Sequence, residues 1–251
     1  MSTSLRAENV SVSFDGLQAL SNVTLNIPTA RVTGLIGPNG AGKTTMVNVM
    51  TGFQLPTSGY VYLGDTDVSG VASHKLRRMG VARTFQGGRM FKDLSVLDNL
   101  EVTGVGLGRS RRDAARQALE ILDWIGISHL TEELAGSLPY TDERRVAISR
   151  ALMMKPGFLL LDEPAAGMSA HEADDLCNII QRIVSEKGCG VLLIEHNIGL
   201  VLKVCDHIHV LDSGELIEEG TPEFIKASEK VRHAYMGTQD EVDMSLEKAV
   251  V

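Results

Sequence analysis

The chain has 251 residues, 43% hydrophobic and 22% charged, with 25 glycines and a formal charge of −8. This composition suits a globular domain with a sizeable core, and its acidity argues against a module that holds nucleic acid in a basic field. No apolar run approaches the ~18 residues of a membrane span, the opening MSTSLRAENV lacks the apolar stretch of a secretory signal, and Cys177, Cys189 and Cys205 are expected to be free thiols.

In chain order, Val10, Val12 and Phe14 alternate with polar neighbours, the period of a strand, and Asp15-Gly16 signals a turn. Val23, Leu25 and Ile27 alternate again as far as Pro28, and Val61 with Leu63 marks a third strand. Together these predict a small antiparallel sheet. Between them, the apolar run from Arg31 enters a glycine-rich loop, and a helix is expected from Lys43 to about Thr51, stopped by Gly52. Helices are expected over Arg111–Ile125, with Leu119 on its apolar face, and over Asp142–Met154, ahead of Pro156. Ser169-Ala170-His171-Glu172 is a capping-box pattern opening a helix that Gly188 closes. Phe158–Leu161 and Val191–Ile194 are wholly apolar strands. Ile208–Leu211 and Glu215–Glu218 flank a turn, and Thr221-Pro222 starts a last helix. Helices alternating with fully apolar strands predict a parallel sheet covered on both faces. The residues after Gly237 form a polar, acidic tail.

Gly37-Pro38-Asn39-Gly40-Ala41-Gly42-Lys43-Thr44 fits the pattern G-x-x-x-x-G-K-[ST]. Phosphates need several backbone N–H donors converging on one point. Glycines allow so tight a curl, and the helix behind adds its positive end. Lys43 supplies a charge for the β- and γ-phosphates, and the Thr44 hydroxyl suits Mg²⁺. Phe158–Leu161 runs into Asp162 and Glu163, where one carboxylate can hold Mg²⁺ and the other can polarise an attacking water. Gln86 and His196 are open to two readings: as surface or structural residues, or as groups at the metal shell and the γ-phosphate.

These residues resemble the ATP-binding subunits of ABC transporters over roughly Leu5–Gly237. The resemblance implies an α/β fold: a P-loop NTPase core with a mainly parallel sheet, a small antiparallel β subdomain and a helical subdomain at about residues 87–155. Residues 1–237 would form one domain and 238–251 a tail. The substrate would be ATP with Mg²⁺. Gly37, Pro38, Asn39, Gly40, Ala41, Gly42, Lys43, Thr44 and Thr45 look like the Walker A loop, and Phe158–Glu163 like Walker B. Gln86 looks like the Q-loop glutamine and His196 like the switch histidine. Catalysis would fall to Glu163, His196 and Gln86, and the metal to Thr44, Gln86 and Asp162. Phe14 stands where an aromatic residue stacks on adenine; the alternative is a core Phe. The segments Ala82–Gln86, Asp162–Gly167 and Leu193–His196 resemble the subfamily serving branched-chain amino acid importers.

One segment departs from the pattern. Leu138-Pro139-Tyr140-Thr141-Asp142 stands where the family has Leu-Ser-Gly-Gly-Gln. Pro139 lacks the hydroxyl and the N–H, Thr141 adds a Cβ, and Asp142 adds negative charge. The resemblance further implies a head-to-tail dimer, with a second and different ATPase chain or with a copy, docked on permease subunits at the cytoplasmic face of the membrane. An external solute-binding protein would act indirectly, and no nucleic acid would bind. The alternatives are a soluble ABC ATPase of the iron–sulfur-cluster-assembly type and a nucleotide-switched binding module.

Overall fold

A computed structural model describes residues 4–85 and 89–236. The chain opens with β1 (Ser4–Phe14) and β2 (Leu17–Pro28), joined by the Asp15-Gly16 turn, in which both residues have positive φ. β3 (Val32–Ile36) leads into α1 (Lys43–Met50); β4 (Ser58–Leu63), the short β5 (Thr66–Asp67), α2 (Ser73–Arg78) and β6 (Val81–Arg83) follow. Next come α3 (Val96–Gly106), α4 (Arg111–Ile125) and α5 (Tyr140–Leu152). Then β7 (Phe158–Asp162), α6 (Ala170–Lys187), β8 (Gly190–Ile194) and α7 (Ile198–Val204) alternate. The chain closes with β9 (His207–Asp212), β10 (Glu215–Gly220), α8 (Pro222–Ala227) and α9 (Glu229–Met236).

Two sheets result. The antiparallel one has the order β2-β1-β4-β5. The other has the order β10-β9-β3-β8-β7-β6, parallel throughout except for the edge strand β10. Period two explains how both faces of this sheet are covered. Leu159, Leu161, Val191 and Leu193 face the helical side, while Leu160, Leu192 and Ile194 face the core shared with α1 and the antiparallel sheet. The α/β architecture is as expected.

Several expected boundaries move, each for a physical reason. β1 and β2 begin well before Val10 and Val23, because Asn9 and Asn22 sit in the left-handed region and shift the register. Ala7 and Val10 are both buried across that bulge, so the alternation is broken in the sequence although the strand continues. α5 starts at Tyr140, not Asp142, with Pro139 as its N-cap, and ends at Leu152. Leu119 of α4 is exposed, since the buried stripe is Ala114, Ala118, Leu122 and Ile125. The capping box at Ser169, the left-handed Gly188 after α6 and the Thr221 cap before Pro222 form as expected. Cys177, Cys189 and Cys205 are free and buried.

Candidate active site

In a parallel sheet all the strands end on one side, so loops from adjacent strands meet there. β3, β8, β7 and β6 are neighbours in that order. The phosphate loop follows β3, His196 lies just past β8, and Asp162 and Glu163 end β7. Gln86, past β6, lies outside the described residues, as does the 238–251 tail.

Gly37, Gly40 and Gly42 all have positive φ, at 150°, 82° and 101°. At Gly37 a side chain is impossible on a second count: its Cβ would stand 2.0 Å from the Leu211 carbonyl oxygen. Gly42 is the N-cap of α1 and has no side chain with which to cap it, and no acidic residue occupies the first turn. The first N–H groups of that helix therefore keep their positive end open to an anion. Lys43 is buried and donates to the loop carbonyls of Gly37 at 2.6 Å and Pro38 at 2.9 Å. Burial pulls its pKa down, while Glu163 and Asp162 pull it back up. Thr44 is exposed at the mouth of the loop, Thr45 and Pro38 are half-buried, Asn39 is exposed and Ala41 is buried.

Asp162 is buried in an ion pair with Arg83, at 2.7 Å. The same guanidinium donates to Asn48 of α1 at 2.6 Å, which ties the acid strand to the helix behind the phosphate loop. Glu163 has a positive φ of 46°, a backbone conformation costly for a residue with a side chain. Its N–H is fixed by the Ile194 carbonyl at 2.9 Å. His196 Nε2 lies 2.6 Å from Glu163 Oε1. The electrostatic coupling of Lys43 to both carboxylates completes a cluster of Lys43, Asp162, Glu163 and His196.

A model of the family described as "ABC transporter" matches residues 20–166. The chain belongs to the ABC transporter family. This cassette is 39% identical over 248 residues to the high-affinity branched-chain amino acid transport ATP-binding protein BraF of Pseudomonas aeruginosa, covering 93% of this chain and 97% of that one. It is 37% identical over 248 residues to LivG of Escherichia coli, a protein of the same description, with the same coverage. Among solved structures, the ADP conformation of the ABC transporter cassette MJ1267 superposes with a TM-score of 0.86 at 33% identity, covering 94% of this chain and 100% of that one.

Glu195 of the cassette was legible only as a neighbour of His196. It is buried, accepts from the Ala165 N–H at 2.6 Å and the His196 N–H at 3.2 Å, and has its pKa raised chiefly by burial. It joins the loops after β7 and β8, so it positions both Glu163 and His196. Its sequence signal was an acid directly after an apolar strand, where a buried carboxylate needs backbone donors. Arg83 falls within the segment Ala82–Gln86, whose local pattern gives it no role by itself.

The segment Leu138–Asp142 makes contacts with α5, α6 and the helical core. Leu138 packs on the helical core. Pro139 is exposed, and Tyr140 stacks under the Arg144 guanidinium, 4.3 Å from the ring centre, and also accepts its hydrogen bond. Asp142 faces Arg145 at 3.7 Å. The Thr141 hydroxyl donates to Glu172 at 2.6 Å, in the capping box of α6. That bond, with those from Ser169, holds the Glu172 carboxyl down at about 2. Phe14 is 44% exposed at the end of β1, so it is not a core residue.

Proposed function

We propose that this cassette binds and hydrolyses MgATP to energise a membrane importer for branched-chain or related amino acids. The observation that carries the reading is the joining of Lys43, Asp162, Glu163 and His196 at the strand ends, in a chain so similar to BraF and LivG.

The phosphates of ATP would enter the open N-terminus of α1. Lys43 would exchange its loop carbonyls for β- and γ-phosphate oxygens, and the exposed Phe14 would stack on adenine. Mg²⁺ fits a hydroxyl and carboxylate donor set, which Thr44 and Asp162 would supply, and the Gln86 amide oxygen would be a further donor. One Asp162 oxygen is held by Arg83, which aims the carboxylate. Glu163 would take a proton from the attacking water. His196, in contact with that carboxylate, would orient it and hold the γ-phosphate. Closure of a head-to-tail dimer would bring a partner chain's signature over this site and this chain's Leu138–Asp142 over the partner's. The cleft between Phe53, Phe85, Arg83, Arg89 and Arg150 would receive the permease, at the cytoplasmic face of the membrane.

A tagged copy recovered from detergent-extracted native membranes should bring down two polytopic permeases and a second ATPase. Recovery from cytosol with soluble partners would contradict the importer reading in favour of the cluster-assembly type.

A further inference from the structure

The rim of the six-stranded sheet carries a second cluster. His207 and His209 are two apart on β9 and so share a face. Ile208 between them and Val210 after them point into the helix-covered core, while Leu211 continues the histidine face into the other core. Glu219 of β10 lies directly across from His209. A bulge makes that pairing. Leu216 opposes Leu211 but Glu218 opposes Val210, so one extra residue, Ile217, is accommodated between them. In an unbroken ladder Glu218 would stand opposite His209.

His209 Nδ1 lies 2.9 Å from Glu219 Oε2, and His207 Nε2 lies 3.9 Å from the same oxygen. One ligand atom from each of the three residues falls within 4.8 Å of the other two. The His209 side chain is only 4% exposed. Glu219 and the Asn26 carbonyl are close to its ring. Even so, neither ring nitrogen has a hydrogen bond in good alignment among the described residues. A buried polar ring without aligned partners calls for an explanation.

We propose that His207, His209 and Glu219 bind a divalent transition-metal ion, with Zn²⁺ as the redox-inert representative of that class. Two imidazoles and a carboxylate are zinc ligands, and three protein donors leave a fourth position for water. Zinc bonds of ~2.0–2.2 Å place donors ~3–4 Å apart, so the partly exposed His207 and Glu219 need only small rotations about a fixed His209. The ion would staple β10 to β9, the strand whose Leu211 carbonyl packs against Gly37 of the phosphate loop.

The test uses the full chain without a polyhistidine tag, stripped of metal and saturated with MgADP to occupy the Walker carboxylates. Zn²⁺ is titrated against a chromophoric chelator, and Tm is followed in parallel. One equivalent should bind, and Zn²⁺ should raise Tm. His207→Ala and Glu219→Gln, both at accessible side chains, should each weaken binding at least tenfold, abolish the Zn²⁺-dependent rise and leave the metal-free Tm unchanged. Absence of stoichiometric binding at micromolar Zn²⁺, or equal binding by both variants, would overturn the assignment.

Discussion

Two helices of this cassette begin beside loops of opposite character. α1 follows Gly42 without a side-chain cap, carries no acid in its first turn and begins with Lys43 and Thr44. α5 follows Pro139 and carries Asp142 and Glu143 in its first turn. Thr141, between Pro139 and Asp142, donates its hydroxyl to Glu172. Both N-termini have the same backbone dipole. Neither N-cap residue makes a side-chain cap, so what separates them is the local charge: Lys43 at one start, Asp142 and Glu143 at the other. A helix start is an anion site only when the sequence leaves it unsatisfied. We propose that in the dimer the two ends serve different ATP molecules, the α1 end a strong site and the α5 end a weak one.

The comparison is broken most severely at Glu163. Glu163→Gln keeps the shape and the backbone bond to Ile194 while removing the proton acceptor. Turnover of the assembled transporter should fall ~10²–10⁴-fold with ATP binding retained; normal turnover, measured by phosphate release, would contradict the role. Next in size is the support of the strong end. Arg83→Met leaves the buried Asp162 charge without its partner, and the purified chain should lose ~3–5 kcal/mol in denaturant titration. A loss below ~1 kcal/mol would show that the pair does not hold the strand to α1. The smallest effect sharpens the weak end. Pro139→Ser with Thr141→Gly restores a donor, removes a Cβ and frees Glu172. Total hydrolysis by the assembled complex should rise about two-fold, as a second site joins the first, and no rise would contradict the asymmetry.

The strong end was legible in the sequence because its parts are local. Gly37–Thr44 and Phe158–Glu163 each carry their residue types at fixed spacing, and each sits where an apolar strand ends. The pair of Arg83 with Asp162 was not legible, because its members are 79 residues apart and meet only because β6 lies beside β7. Period-two reading failed at Asn9 and Asn22, where a left-handed residue resets the register. The hairpin of β9 and β10 was legible, but the bulge at Ile217, which decides that Glu219 meets His209, carries no period-two signal. The start of α5 was misjudged because Asp142 is a good N-terminal residue, whereas Pro139 caps two residues earlier by its fixed φ.

Rapid-quench counting of ATP hydrolysed in the first turnover tests the unequal ends most directly. The complex would be assembled with its permeases and saturated with MgATP, and phosphate would be counted per complex before any product leaves. One phosphate per complex is the expected result, from the site built on Lys43, Glu163 and His196. Two per complex, released at one rate, would show that the altered signature serves its site as well as an unaltered one and would contradict the account.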